Sequence, residues 1–245
     1  MSDRFYLDPA VSTLSETGAE FGGDEAHHFI RVMRGKTGGS VILFDGSGFV
    51  YYGTVESITK NSVVVSITEK QKDGIESPLR LTIACPLPKG DRQRFLVEKL
   101  AELGVERFIP LALQRSVART TPSATAKFRR YVIEAAKQCG RNVLMTVEEE
   151  MTLPEFIKLL TDDYYRLILH PVSLGEAGQI TVKKFLEKEL PKHIAVLTGP
   201  EGSFTDSEVE AAIQSGFAAL DLGARILRTE TAAVAAAALL LTYAG

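Results

Sequence analysis

The sequence contains little cysteine and no arrangement of residues typical of a metal site. Its 245 residues include two cysteines, Cys85 and Cys139, which lie far apart and belong to no Cys-x-x-Cys or His/Cys cluster. We therefore expect reduced thiols and no bound metal. The N-terminus opens no signal peptide, and the apolar tail Ala232–Ala244 is shorter than the roughly 20 residues that span a bilayer. These absences predict a cytoplasmic protein with no membrane partner.

The chain also lacks the short motifs of several large enzyme classes. There is no G-x-G-x-x-G after a strand, no Walker A lysine loop and no G-x-S-x-G nucleophile elbow. These absences argue against dehydrogenases, P-loop NTPases, common hydrolases and the usual doubly wound methyltransferases. The formal net charge of −3 gives no overall basic signature, although it does not exclude a local basic face.

The most informative stretch runs from Ala195 to Ala238 and contains two strand–turn–helix units. Apolar runs at Ile194–Leu197 and Phe217–Leu222 are typical of short buried strands. The turn TGPEG follows the first run, and Thr205 and Glu208 after it have capping-box spacing; the turn LGAR follows the second. In an open α/β sheet such turns lie at the carboxyl ends of strands, where ligands bind. Either turn alone is also typical of an ordinary connection.

The residues of these turns suit close contact with a ligand. Gly199 and Gly202 have no Cβ, so backbone groups can approach a bound molecule, and Pro200 stiffens the loop. Charged side chains occur in or beside both turns, at Glu201, Arg225, Arg228 and Glu230. The alternative is that these charges are solvated or cap a helix.

Residues 1–70 predict a small β-barrel. The runs Ser40–Phe44, Gly48–Ser57 and Ser62–Thr68 alternate or are rich in β-branched residues, with glycine or asparagine turns between them. We expect a short helix before them, with Asp24 as its N-cap and Gly35 at its end.

Three basic residues of that expected helix could share one face. His28, Arg31 and Arg34 lie at positions i, i+3 and i+6, which would suit contact with phosphate. The alternative is a solvated basic face.

Residues 71–78 are polar and predict a linker, and residues 79–245 predict a second domain. In the second domain, strand-like runs alternate with helical patterns, which indicates a mostly parallel α/β sheet. The expected strands are Leu79–Cys85, Phe108–Leu113, Arg166–His170 and His193–Thr198, and the expected helices are Arg92–Leu103, Thr125–Gln138 and Val182–Leu190.

Positive charge is concentrated in one region of this second domain. From Lys89 to Arg141 there are twelve basic and five acidic residues, a net charge of +7 that leaves −10 for the rest of the chain. This asymmetry indicates a polyanionic partner, with a solvated helix face as the alternative.

The two glycine turns resemble the C-terminal signature of the SPOUT class of RNA methyltransferases. TGPEGSF followed by LGARILRTETAA carries the likeness, and HHFIRVMR, KLAELGV, QRSVAR and EAAKQCGR resemble further segments of one family in that class. Its members methylate N3 of a uridine in 16S ribosomal RNA of the small ribosomal subunit. They usually read GPEGG where this chain has Gly202 and Ser203, so a positive φ at Ser203 would be mildly strained.

The resemblance implies a fold class and an assembly. The fold would be α/β, with an N-terminal PUA-like β-barrel that helps to bind RNA and a C-terminal SPOUT-type, trefoil-knotted domain with a mostly parallel sheet. The helix that contains Ala235–Ala238 would pass the knot and contribute to a homodimer. Composition does not predict a knot, which is rare among folds.

The resemblance also implies S-adenosylmethionine as the cofactor. The pocket residues would be His170, Pro171, Leu197, Thr198, Gly199, Pro200, Gly202, Leu222, Gly223, Ile226 and Leu227. The predicted RNA-binding residues are Arg4, His28, Arg31, Arg34, Arg92, Lys99, Arg115 and Arg141.

The implied reaction has specific requirements, because N3 of uracil carries a proton and lies on the pairing edge. The base must be unpaired, and the proton must leave. We hypothesise that Arg228, with Arg225 nearby, stabilises the resulting negative charge. Glu201 or Glu230 would accept the proton or orient the arginines, although Glu230 is also typical of a helix N-terminus.

Three other functions remain open. The chain could be a non-catalytic RNA-binding protein of the same fold, but its intact turns argue against this. It could be a methyltransferase of the same class with a different RNA substrate. It could also be a small-molecule α/β enzyme whose glycine turns bind phosphate, but the basic region and the barrel argue against that.

Overall fold

The computed structural model describes residues 4–72, 74–170, 179–187 and 189–244 and divides into two compact units. The N-terminal unit comprises Met1–Glu76 and Ala136–Leu144, and the C-terminal unit comprises Ser77–Ala135 and Met145–Gly245. No pattern in the sequence indicated that residues 136–144 return to the first unit. The domain boundaries 1–70, 71–78 and 79–245 stay a prediction.

The N-terminal unit is built on a six-stranded sheet with the order β1-β4-β5-β6-β3-β2. Strands β1 and β4 pair in parallel, and the other neighbours are antiparallel. The strands are β1 (Arg4–Tyr6), β2 (Ser12–Leu14), β3 (Gly18–Phe21), β4 (Ser40–Phe44), β5 (Phe49–Ile58) and β6 (Val63–Lys72). Thus β6 extends two residues into the segment predicted as a linker.

Aromatic rings form the centre of this unit. The ring of Phe5 stacks on Phe21 with 5.1 Å between centroids and meets Phe29 edge-on at 5.5 Å. All three side chains are buried together with β-branched residues of the sheet. Such a core stabilises the sheet by removing apolar surface from water.

The predicted helix before the barrel is shorter and less regular than expected. Helix α1 (Gly23–His27) continues into a π-helical turn, His28–Val32, and the N-cap is Gly22, so the prediction of Asp24 as the cap was wrong. Arg34 lies beyond the helix with φ of 54°, and therefore does not continue a face of His28 and Arg31.

The cause of this early end is the packing of Phe29. The amide of Gly35 donates to the Phe29 carbonyl at 3.0 Å, and a Cβ on Gly35 would lie 2.1 Å from the Phe29 ring. The chain must turn tightly over a buried ring, which only glycine allows at this distance.

The C-terminal unit contains an eight-stranded sheet whose pairings are all parallel. The strand order is β10-β8-β7-β13-β11-β14-β12, and β9 pairs with β8. The strands are β7 (Arg80–Cys85), β8 (Arg107–Ala112), β9 (Thr146–Val147), β10 (Met151–Thr152), β11 (Tyr164–Leu169), β12 (Gln179–Thr181), β13 (His193–Thr198) and β14 (Ala218–Asp221). The predicted mostly parallel α/β sheet is confirmed.

Helices follow most of these strands, as the sequence pattern predicted. They are α2 (Arg92–Leu103), α3 (Pro122–Cys139), α4 (Leu153–Leu159), α5 (Val182–Leu186), α6 (Asp206–Gln214) and α7 (Thr229–Ala244). Helix α2 ends at Gly104, whose φ of 99° forms a left-handed cap. Helix α6 begins with the predicted capping box of Thr205 and Glu208.

The central strands are buried on both faces, which explains their continuous apolar sequences. Five of the six residues of β13 are buried, and Leu197 is fully enclosed in a core cluster with residues of β8, β11 and α6. Parallel strands that are covered on both sides by helices require such sequences.

Candidate active site

An open cleft lies at the carboxyl ends of three adjacent strands, β13, β11 and β14. Gly199 and Pro200 follow β13, His170 follows β11, and Leu222 and Gly223 follow β14. This is the place where an open parallel sheet binds ligands. The cleft therefore lies where the two glycine turns were predicted to bind a molecule.

The walls of the cleft combine exposed apolar side chains with close-packed backbone. Ile226 is 89% exposed, and Leu227 lines the cleft beside it. A Cβ on Gly199 would lie 2.9 Å from the Phe204 ring, so only glycine lets this ring pack against the turn. Gly223 has φ of 107°, which allows the second turn to bend after β14.

The GPEGS turn carries the strain that its departure from the family pattern predicted. Ser203 has φ of 62°, and its amide donates to the Pro200 carbonyl at 2.9 Å. Arg115 contacts this turn from the side, donating to the carbonyls of Gly202 at 2.9 Å and Phe204 at 3.3 Å. The guanidinium of Arg115 therefore binds loop carbonyls in this structure.

Two further contacts join the first turn to the start of α7. Thr229 Oγ1 donates to the Gly199 carbonyl at 2.8 Å. Arg92 Nη1 contacts Glu201 Oε1 at 2.6 Å and Glu230 Oε1 at 3.2 Å. These two acids, predicted as catalytic from separate turns, thus share one arginine.

His170 is a titratable group in the wall of the cleft. Its ring lies edge-on to Phe204 with 6.0 Å between centroids, and its Nδ1 is buried with no hydrogen-bond partner among the described residues. Burial lowers the pKa of His170, and the negative charge of Asp206 opposes this shift. His170 is therefore held toward its neutral form.

The cleft contains seven of the eleven residues predicted to bind a cofactor: His170, Gly199, Pro200, Leu222, Gly223, Ile226 and Leu227. Leu197 and Thr198 lie below it, with exposures of 0% and 1%, and Gly202 faces Arg115. Pro171 lies outside the described residues. The assignment of these residues to a cofactor stays a prediction.

The predicted catalytic residues occupy different environments. Arg225 and Glu201 line the cleft, and Arg228 is exposed immediately before α7. Glu230 is only 4% exposed, and its Oε2 is buried with no partner in the part of the chain that the structure describes. Glu230 therefore lies behind the cleft wall.

Two predicted RNA-binding arginines make contacts inside the N-terminal unit, and their role in RNA binding stays a prediction. Arg141 is 5% exposed and contacts both carboxylate oxygens of Glu76 at 2.9 and 2.8 Å. Arg4 donates to the Gly140 carbonyl at 3.1 Å and to the Asn142 side chain. Through these contacts both guanidinium groups bind partners within the N-terminal unit.

The other predicted RNA-binding residues differ in their availability. Lys99 pairs with Glu102 at 2.7 Å on the surface of α2. His28, Arg31 and Arg34 are exposed in the N-terminal unit, without the shared helical face that was expected.

Several residues of the cleft were not identified from the sequence. Phe204, Asp221 and Thr229 line it, and Arg92 was assigned to RNA rather than to the acids beside the cleft. Phe204 directly follows the GPEGS turn, so its position in the sequence could have indicated that it lines the cleft. The pairing of Arg92 is a long-range contact with no local signal.

The described residues contain no helix long and apolar enough to cross a membrane. Within those same ranges, no three His, Cys, Asp or Glu side chains are grouped so that they could hold a metal ion. Cys85 and Cys139 are free thiols, and burial raises the pKa of Cys85 to about 12.

The architecture and the cleft agree with comparisons to known proteins. Residues 75–241 match the RNA methyltransferase domain family, and residues 21–68 match the RNA methyltransferase PUA domain family. The fold and the site thus define an RNA methyltransferase with a PUA-type barrel, as predicted.

Individual relatives narrow the class further. Ribosomal RNA small subunit methyltransferase E from Bacillus subtilis is 30% identical over 236 residues, which cover 94% of this chain and 92% of that protein. The enzyme of the same name from Neisseria gonorrhoeae, crystallised with S-adenosyl methionine, superposes with a TM-score of 0.85 at 30% identity, covering 99% of this chain and 98% of the other. This chain belongs to the ribosomal RNA small subunit methyltransferase E family.

Proposed function

We propose that this protein transfers a methyl group from S-adenosylmethionine to N3 of a uridine in 16S ribosomal RNA of the small ribosomal subunit. The observation that carries this proposal is the cleft at the ends of β13, β11 and β14, where both glycine turns meet. The S-adenosyl methionine in the relative from Neisseria gonorrhoeae supports the same cofactor here.

The residues of the cleft fit this cofactor. Ile226 and Leu227 offer apolar surface to the faces of an adenine ring, and the exposure of Ile226 leaves an apolar side chain that a ligand would cover. Gly199 and Gly223 bring backbone groups to the cleft without a Cβ. When bound, the cofactor supplies a methyl group already activated by its sulfonium charge.

We propose that the arginines act on the uracil ring. Loss of the N3 proton leaves negative charge on the base, and a cation placed at that charge lowers the barrier. Arg228 is exposed and Arg225 lines the cleft, so both can reach a base brought to its mouth. Glu201 accepts the proton or orients the arginines, and Glu230 is too buried to meet the base directly.

RNA recognition, assembly and location are further parts of this proposal. His28, Arg31 and Arg34 provide exposed positive charge on the barrel for phosphate contact. Leu239 and Tyr243 lie one turn apart on α7 and are 40% and 55% exposed, which supports a homodimer through this helix. The trefoil knot and a cytoplasmic location also remain proposals.

The first test is transfer of labelled methyl from S-adenosylmethionine to small ribosomal subunits from cells that lack this protein. Nucleoside analysis should then reveal new 3-methyluridine. A different methylated nucleoside, or transfer only to another RNA, would contradict the proposed substrate. Binding of S-adenosylmethionine measured in parallel separates a wrong substrate from a wrong cofactor.

The role of Arg228 is tested by Arg228→Ala. This variant should lose methyl transfer and retain most of its affinity for S-adenosylmethionine, because the guanidinium acts on the base. Lys158→Ala, which removes an exposed cation from α4, controls for the change in net charge. An active Arg228→Ala enzyme would refute the role.

A further inference from the structure

We propose that Arg92 is a positioning residue of this active site, and that it holds the two turns of the cleft in place rather than contacting RNA. The proposal rests on the proposed function only in taking S-adenosylmethionine as the ligand of the cleft. Three separate elements meet at this side chain, and each supplies one member of the cluster: Arg92, Glu201 and Glu230.

The geometry places one cation between two acids of different turns. Arg92 is the first residue of α2, Glu201 belongs to the turn after β13, and Glu230 lies in the first turn of α7. A single nitrogen, Nη1, contacts Glu201 at 2.6 Å and Glu230 at 3.2 Å. The hydrogen bonds that Arg92 donates to Glu201 and then to Glu230 raise its pKa, so it stays charged.

Burial makes this cation necessary. The Glu230 side chain is 6% exposed, and its contact with Arg92 compensates a carboxylate that is otherwise poorly solvated. Burial raises the pKa of the Cys85 thiol to about 12, and the negative charge of Glu230 contributes to this shift, so the thiol stays protonated and adds no charge to the cluster. Without Arg92, two carboxylates would face each other across the gap between the turns and repel.

The same charges argue against a role for Arg92 on RNA. One arginine and two glutamates give the cluster a net charge of −1, which does not attract phosphate. Arg92 also lies outside the set of residues that line the cleft. Its effect on a ligand is therefore transmitted through Glu201 and through the start of α7.

The Arg92 cluster acts together with a second contact between the turn after β13 and the start of α7. Thr229 Oγ1 binds the Gly199 carbonyl, and Arg92 joins the neighbouring residues Glu201 and Glu230. These two contacts fix the distance between the first turn and α7, and Ile226 and Leu227, which line the cleft, lie just before the start of that helix. A loosened cluster should therefore widen the cleft and weaken the binding of S-adenosylmethionine.

Calorimetric titration with S-adenosylmethionine in the absence of RNA tests the proposal. Arg92→Gln should weaken binding about 10-fold, whereas Arg92→Lys, which keeps the cation, should recover most of the affinity. In Arg92→Gln/Glu201→Gln the repulsion between the carboxylates is absent. The loss of affinity for S-adenosylmethionine in the double variant should therefore be smaller than the product of the losses in Arg92→Gln and Glu201→Gln.

A role of Arg92 in RNA binding predicts a different result. If Arg92 contacts phosphate, Arg92→Gln should leave the Kd for S-adenosylmethionine unchanged and lower the salt slope of RNA binding by about one. That result, or strictly multiplicative effects in the double variant, would overturn the proposal. If Arg92→Gln fails to fold, the affinities of Arg92→Lys and Glu201→Gln for S-adenosylmethionine are compared with that of the wild type instead. A wild-type protein that binds the cofactor but transfers no methyl group would refute the proposed function alone.

Discussion

The hydroxyl of Thr229 donates a hydrogen bond to the carbonyl oxygen of Gly199, and thereby joins the first residue of α7 to the turn that follows β13. Thr229 is 5% exposed, so water does not readily replace this contact. The residues are thirty positions apart in sequence, yet both line the cleft. The fixed position of α7 against this turn therefore depends partly on one buried side-chain hydrogen bond.

Thr229→Val should remove the hydrogen bond between α7 and the turn after β13 while it keeps the shape of the side chain. The loss of the hydroxyl leaves the Gly199 carbonyl without this partner, which should cost about 1 kcal/mol of unfolding free energy. Affinity for S-adenosylmethionine should fall as well. Urea unfolding and calorimetric titration measure the two effects, with Thr229→Ser as the matched control that keeps the donor. Equal behaviour of the two variants would show that the hydrogen bond is unimportant.

Ser203 holds a backbone conformation that favours glycine, with φ of 62°. Ser203→Gly should relieve a cost of about 1–2 kcal/mol, partly offset by about 0.5–1 kcal/mol of extra entropy in the unfolded chain. We expect a small net rise in Tm, measured by calorimetry. Ser203→Ala retains the Cβ and should give no such rise. Equal stabilisation by both variants would show that the rise in Tm comes from loss of the hydroxyl group and not from relief of backbone strain.

The glycine turns and the strands of the C-terminal unit could be predicted because their signals are local. The capping box of Thr205 and Glu208 lies within four residues, and the limits of β13 and α2 follow from a continuous apolar run and from Gly104. Parallel strands then bring their carboxyl ends together, so the location of the cleft follows from local patterns.

The partners of the charged residues could not be predicted, because they depend on tertiary contacts. Lys137 and Arg141 contribute to a basic region that indicated RNA, yet they pair with Glu25 and Glu76, more than sixty positions away. Arg92 and Glu230 are 138 positions apart. Charge counted along the sequence includes such internal pairs and therefore overestimates the surface available to a polyanion.

Gly35→Ala should destabilise the N-terminal unit through a steric conflict. An added Cβ would lie 2.1 Å from the Phe29 ring, which is 3% exposed in the aromatic core and has little room to move. Overpacking of this kind costs about 1–3 kcal/mol. Gly74→Ala is the matched control, because nothing lies within 4 Å of its added Cβ. Chemical unfolding followed by circular dichroism should show a lower midpoint for Gly35→Ala alone; unchanged midpoints would contradict the packing around Phe29.

His170 should make part of the stability depend on pH. Burial lowers its pKa in the folded protein below the ordinary value of 6.5, so below about pH 6.5 the unfolded chain binds more protons than the folded one. The stability from neutral His170 is therefore present above pH 6.5 and is lost as the pH falls through the folded pKa. His170→Gln removes this titration, so its unfolding free energy should fall less than that of the wild type between pH 7 and 5. Urea unfolding at several pH values gives both curves. Parallel curves would show that protonation of His170 is not linked to folding, and that its ring reaches water more freely than its position against Phe204 indicates.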